Sequence, residues 1–348
     1  MNGSTVRSSK MKLALILVVG SVTLFLLFIL SLVVGSVDMS FTDALGALWG
    51  YITKLGDVSR LTPDEKIVGL LRLPRAVAVV GVGIALSVAG AVMQALIRNP
   101  LVDPYITGVS SGAAAGAAVV MLMGITVTGI GLFAVPVAAF IGAIGAFFFT
   151  LLLAEASGGR ALNYVLAGIV TGTALSSLTS LIMTVSGNQL HGIVFWMFGS
   201  FATITTDKAL LIIVPTIFLC LIVLVMAREL NVILLGHEQA WQLGVDSRSF
   251  KRLMMVLTSI LTSIAVAFTG IIGFLGLIVP HIGRILVGGD HRLLLPASMI
   301  LGANVLLVAD LVSRTAMQGE LPVGAIISLI GAPFFGYLLV RRGRDYAG

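Results

Sequence analysis

Few residues in this chain are of types that do chemistry, so each can be weighed in turn. Gly108-Val109-Ser110-Ser111-Gly112 has the G-x-S-x-G spacing of a hydrolase nucleophile elbow. That elbow needs a strand before it, a helix after it, and acid and histidine partners; here the run opens an Ala/Gly-rich apolar segment. His237-Glu238 begins like a zinc-binding H-E-x-x-H, but Trp241 stands where the second histidine would be. No G-x-x-x-x-G-K-[ST] run occurs, so this chain does not bind ATP through a P-loop. Cys220, the single cysteine, lies in an apolar run, which leaves no intrachain disulfide and no cysteine-based metal site. Catalysis by the chain itself, and a cofactor or metal bound to it, are not expected.

Ionisable residues within apolar stretches are the better candidates, because burying them in a membrane is costly. Asp310 and Arg314 stand four apart, on one face of a helix near its end. They could pair with each other, or Arg314 could face outward for a partner. In Leu71-Arg72-Leu73-Pro74-Arg75, Pro74 suits a helix start. Helix N-termini favour anions, so two arginines there are not explained by local helix stability. They either snorkel at a membrane interface or meet carboxylates of an external protein, with which arginine pairs bidentately. A proton relay would want several embedded acids, and Asp310 with Glu155 at a helix end gives it thin support.

The elements that must hold these residues are apolar. Of 348 residues 58% are hydrophobic and 10% charged, against roughly 25% charged in soluble domains. A membrane helix needs about 20 mainly apolar residues. Ten such segments are expected, over 11–34, 75–96, 105–123, 129–155, 162–185, 209–227, 253–268, 271–286, 293–312 and 323–340. Pro280, His281 and Arg284 make the eighth the weakest. The run 193–201 is apolar but too short to span, and reads as a re-entrant or surface helix on the outer side. The alternating ten-residue stretches of a β-barrel are absent. The first apolar run is too long for a signal peptide and has no small-residue cleavage site after it.

The fold class is therefore all-α and polytopic, one membrane domain over 1–348 with a short N-terminus 1–10, a polar loop 235–252 and a tail 341–348. An even number of spans puts both termini on one side. With the N-terminus inside, 14 of the 21 basic residues fall inside, and Lys54, Arg60, Lys66, Arg72, Arg75, Lys208 and Arg314 outside. That is the positive-inside pattern, and it accounts for the net charge of +6 without a nucleic-acid partner. Gly108, Gly112 and Gly116, and Gly168 and Gly172, repeat every fourth residue. Such faces pack closely in lipid, or slide during gating.

Longer motifs carry a family resemblance. Arg72-Leu73-Pro74-Arg75, Gly90-Ala91-Val92-Met93-Gln94, Arg98-Asn99-Pro100-Leu101-Val102-Asp103-Pro104 and Gly108-Val109-Ser110-Ser111-Gly112-Ala113 resemble the permeases of iron-chelate, haem and vitamin B12 ABC importers, the type II importers. So do Gly273-Phe274-Leu275-Gly276-Leu277-Ile278-Val279-Pro280-His281, Asp290-His291-Arg292, Glu320-Leu321-Pro322-Val323-Gly324 and Gly331-Ala332-Pro333-Phe334-Phe335. The likeness runs from about residue 11 to 340.

The resemblance implies ten helices, a homodimer or close heterodimer, two cytoplasmic ATPase subunits that use ATP and Mg2+, and an extracytoplasmic binding protein, all at a prokaryotic inner membrane. It implies that Arg72, Arg75 and Arg314 dock the binding protein. It implies a cytoplasmic gate at Asn99 to Leu101 and at Ala161, Leu162 and Asn163, where Ala161 and Leu162 depart from the small hydroxyl residues of the family. The hydroxyls of Thr171, Ser176 and Ser180 could line the path, or back-bond within their helix. The loop core 235–244 resembles the family's coupling helices. In helical geometry Ala240, Leu243 and Gly244 share a small-residue edge, Glu238 and Gln242 a polar one, and Gly236 and Gly244 bracket the helix. An ion-coupled transporter acting without an ATPase is the alternative.

Overall fold

A computed structural model describes residues 3–35, 37–55, 57–125, 131–317 and 319–346. The first helix, α1 (Gly3–Val33), is followed by α2 (Phe41–Thr53), a single turn α3 (Pro63–Lys66), a π-helical turn (Ile67–Arg72) and α4 (Leu73–Ile97). Then come α5 (Val109–Leu122), α6 (Gly131–Ala156), α7 (Ala161–Val185), α8 (Leu190–Met197) and α9 (Thr206–Val225). The second half holds α10 (Ala227–Ile233), α11 (His237–Gln242), α12 (Ser247–Thr269), α13 (Leu275–Val287), α14 (His291–Thr315) and α15 (Val323–Tyr346). No strand occurs among the described residues, so Gly108-Val109-Ser110-Ser111-Gly112 has no elbow to sit on.

Among the described residues seven helices are long and apolar enough to cross a membrane, and three shorter apolar helices, in α5, α13 and α15, accompany them. These ten match the expected segments. Positions 129 and 130 of the fourth, residues 1 and 2 of the N-terminal segment and residues 347 and 348 of the tail lie outside the described residues.

α4 is the axis of the bundle. Its span is 89% buried, packed by α9, α12, α13 and α14, and its own buried face is mostly Ala, Gly and Val. Small residues let those neighbours approach its backbone: a Cβ added at Gly83 would meet the Gly302 carbonyl oxygen at 2.6 Å. α1 lies at the rim against α14, and α5, α6 and α7 pack as a group.

Two departures from the expected segments have physical causes. The eighth segment is helical only over Leu275–Val287; residues 270–274 are non-helical, with Phe274 at φ 65°. Thirteen residues reach only about 20 Å. Irregular backbone at this depth survives where protein covers it, and here the Tyr105 hydroxyl accepts from Ile272 N at 3.3 Å and donates to Ile272 O at 3.2 Å. The second departure is α2, a surface helix that hydropathy did not single out. Ser40 caps it through Asp43 N, while Leu45, Trp49 and Ile52 are exposed, the make-up of a helix lying in a membrane interface.

Candidate functional site

Side-chain bonds gather the loops at two opposite ends of the bundle, here named outer and inner by the basic-residue count. The outer end holds the three arginines. Arg72 donates from Nη1 to Leu32 O at 2.8 Å and Val33 O at 2.6 Å, and from Nη2 to Val37 O at 2.6 Å. Arg314 donates from Nη1 to Ser31 O at 3.2 Å and Val34 O at 3.1 Å. Four of these carbonyls close the last turn of α1 or directly follow it, and a helix leaves such groups without intrahelical partners. Two cations there also suit the helix dipole. The arginines thus stabilise a helix other than their own, which explains what local reasoning about α4 could not.

Arg75 lies between two acids. Its Nε donates to Asp310 Oδ1 at 2.9 Å, and its Nη1 to both oxygens of Glu320 at 2.7 and 2.8 Å. Arg314 also pairs with Asp310 at 3.2 Å, so of the two arrangements open to that i, i+4 pair the internal one is present. The three arginines line one cavity of about 190 Å³ together with Glu320. They are brought together but turned inward, with Arg72 and Arg75 buried. Burial needs partners for each guanidinium, and α1 and Asp310 supply them.

Along the bundle, a groove of about 500 Å³ runs between α5 and α7, lined in part by Ser111, Thr173, Ser176, Ser177 and Ser180. Ser176 meets Ser111 across it at 3.2 Å, and Ser180 back-bonds to Ser176 O at 3.0 Å. Thr171 does not line this groove. It is buried, donates to Ala167 O and accepts from Thr150 on α6, both at 2.9 Å, and so fastens two helices.

At the inner end the Asn99 side chain accepts from Leu101 N at 2.9 Å, closing its loop beyond α4. Ala161 begins α7, Leu162 is exposed, and Asn163 donates to Ser157 O at 2.5 Å. α11 stands beyond them between Gly236 at φ 129° and Gly244 at φ 78°, backbone angles that other residues resist. Glu238, Trp241, Gln242 and Leu243 are exposed, while Ala240 is fully buried. The small-residue edge expected of Ala240, Leu243 and Gly244 is thus divided, with Leu243 and Gly244 exposed and Ala240 turned into the protein. The helix ends at Gln242, Val245 N returns to Ala240 O at 2.9 Å, and α11 packs against α10 and α12.

A residue that sequence reasoning weighed only as a relay acid organises this end. Glu155, in the last turn of α6, accepts from Arg252 Nε at 2.9 Å, from Arg248 Nη2 at 2.7 Å and from the Tyr164 hydroxyl. Nearby, Asp290 caps α14 through Arg292 N at 3.0 Å and accepts from Asn231 at 2.7 Å. Bonds from the Arg292 guanidinium, opposed in part by burial, hold its carboxyl down at about 2. The signal available in the sequence was the four-residue spacing of Arg248 and Arg252, which puts both on one helix face.

A model of the FecCD transport family matches residues 23–341. The chain is 42% identical over 279 residues to the cobalamin import system permease protein BtuC of Halobacterium salinarum, covering 80% of this chain and 74% of that one. It is 38% identical over 284 residues to the hemin transport system permease protein HmuU of Yersinia pestis, covering 80% and 84%, and 34% identical over 320 residues to the molybdate import system permease protein MolB of Haemophilus influenzae, covering 91% and 92%. A solved metal-chelate type ABC transporter in an inward-facing conformation aligns with a TM-score of 0.81 at 32% identity, over 94% of this chain and 99% of that one.

Proposed function

The chain belongs to the FecCD transport family, and from that premise we propose that it carries an iron chelate, a siderophore or haem, or a corrinoid, as the permease of an ABC importer. Two copies form the path as a homodimer in the inner membrane of a prokaryote, each a single membrane domain with both termini in the cytoplasm. The chain does no covalent chemistry; two ATPase subunits below bind Mg2+ and ATP, and a binding protein delivers the cargo above. Docking, ATP binding and hydrolysis act by differing affinity for the outward- and inward-open states, the only way a ligand shifts such an equilibrium.

The observation that carries this reading is the open side of α7. Only 22% of its span is buried, and its exposed residues include Thr173, Ser176, Ser177, Ser180 and Thr184. Hydroxyls facing lipid gain nothing, whereas hydroxyls facing a second copy line a polar, uncharged path that a bulky ligand passes without being held. Asp310 and Glu155, the two acids weighed for a relay, are both committed to arginines, which counts against an ion-coupled carrier.

Proteoliposomes holding the permease, its ATPases and its binding protein are expected to take up ferric siderophore, haem or cobalamin only with ATP inside the compartment that holds the ATPases. Uptake driven by an ion gradient without any ATPase overturns the reading. Docking at the arginine cavity has its own check, because three arginines against Asp310 and Glu320 leave one positive charge in excess. Glu320→Gln raises that excess and tightens binding-protein association at low salt, where charge effects are least screened; an unchanged affinity removes the arginines from docking. Asn99, Leu101 and residues 161–163 form the inner gate in this scheme, and residues 236–244 the contact with the ATPase.

A further inference from the structure

We infer that Glu155 is the joint through which movement of the α11 loop reaches the inner end of α7, a role that rests on the importer reading above. Three helix ends meet on this one carboxylate. Arg248 and Arg252 come from the first turns of α12, Tyr164 from the first turn of α7, and Glu155 itself from the last turn of α6.

The connection to α11 is short. Only residues 243–246 separate α11 from α12, and Asp246 closes that junction by accepting from Arg248 N at 3.0 Å and Ser249 Oγ at 2.6 Å. α12 is 72% buried over its span, so it moves as a rigid piece, and a tilt imposed at α11 displaces Arg248 and Arg252 directly. On the far side, Tyr164 follows Ala161, Leu162 and Asn163, and the bond from Asn163 to Ser157 O keeps that turn attached to the end of α6.

The chemistry of the joint suits transmission better than static support. The Arg248 and Arg252 side chains are 63% and 43% exposed, and ion pairs that open to water add little to stability. Arg252 nevertheless meets Glu155 through two nitrogens, which fixes direction as a single contact does not. Such a contact can break and re-form at each cycle, as interdigitated apolar packing cannot.

The test uses the complete importer, permease with ATPases and binding protein, in proteoliposomes, with ligand taken up and ATP hydrolysed measured together. Glu155→Gln is expected to assemble and hydrolyse ATP at the wild-type rate while ligand moved per ATP falls about tenfold, the scale of one charge-assisted hydrogen bond. The exchange Glu155→Arg with Arg252→Glu restores much of the ratio; a merely structural role would instead lower assembly and ATP hydrolysis and leave the ratio unmoved. Tyr164→Phe, which removes one hydroxyl, gives a smaller loss of the same kind and serves if Glu155→Gln does not assemble. A wild-type ratio in Tyr164→Phe and Glu155→Gln overturns the joint. Failure of the wild-type assembly to couple uptake to ATP instead overturns the importer reading.

Discussion

At the scale of single residues, the buried charges of the outer end respond to partners far away in the sequence. Asp310 is fully buried and is shared by Arg75 and Arg314. Removing one member of a buried ionic group leaves the others uncompensated and costs roughly 3–5 kcal/mol. Asp310→Asn is therefore expected to lower the melting temperature of the purified permease in detergent markedly, whereas Asp57→Asn, whose pair with Arg60 is exposed, changes it little. Asp290 makes a pH prediction. Its folded-state value of about 2 lies below the ordinary carboxylate value, so its stabilisation is present above about pH 4 and is lost as pH falls toward 2. Asp290→Ala removes that part of the acid sensitivity and costs about 1 kcal/mol at neutral pH through the lost cap of α14, readable in melting curves at pH 7 and pH 3. The i, i+4 spacing of Asp310 and Arg314 was legible in the sequence, but the capping of α1 by Arg72 was not, because its acceptors are backbone carbonyls 35 to 40 positions earlier.

Among the elements, the glycine repeat of α5 proves to be a packing surface. A Cβ at Gly112 would fall on the Gly142 carbonyl oxygen of α6, and one at Gly116 on the Ala138 carbonyl oxygen, while Gly145 has open space. Gly112→Leu should therefore abolish the recovery of folded permease in a size-exclusion profile, and Gly145→Leu should leave it intact. Spacing alone announced the repeat, but not that Gly172, of the second pair, meets only the Ser111 hydroxyl, at 3.5 Å. At α11 the two bracketing glycines give a gentler test. Gly244→Val forces a branched residue into a left-handed conformation, at roughly 1–2 kcal/mol, and is expected to weaken co-purification of the ATPase without unfolding the permease. Full retention of the ATPase would show that the shape of this loop is unimportant.

For the whole molecule, the open, hydroxyl-bearing face of α7 is a feature that one chain leaves unfinished. A cysteine placed at Thr173 should cross-link two copies in membranes under mild oxidation, while one at Val225, exposed at the end of α9, should not; Cys220 is buried and does not interfere. Monomers alone in the Thr173→Cys lane would argue against a second copy on this face. The two ends of the bundle agree with the alternation of ten spans: bonds join 31–34 and 37 to Arg72 and Arg314, and Arg75 to Asp310 and Glu320, at one end, and join Arg98 to Ile233, Glu155 to Arg252, and Asn231 to Asp290 at the other. That grouping was implicit in the run lengths, because each crossing moves the chain to the opposite side.

The sequence by itself determined the number of spans, the loops that share a side and the family, because lipid demands long apolar runs with internally satisfied backbones and leaves charge to the loops. It also marked α11, since a polar run between two glycines is conspicuous in an apolar chain. Only the tertiary structure decided where the side chains point. It turned the outer arginines inward, buried Ala240, fastened Thr171 to α6 and joined α6, α7 and α12 at Glu155. The physical reason is common to these cases: a buried polar group must find a partner, and the partner is chosen by which helices pack together, not by which residues are near in the chain.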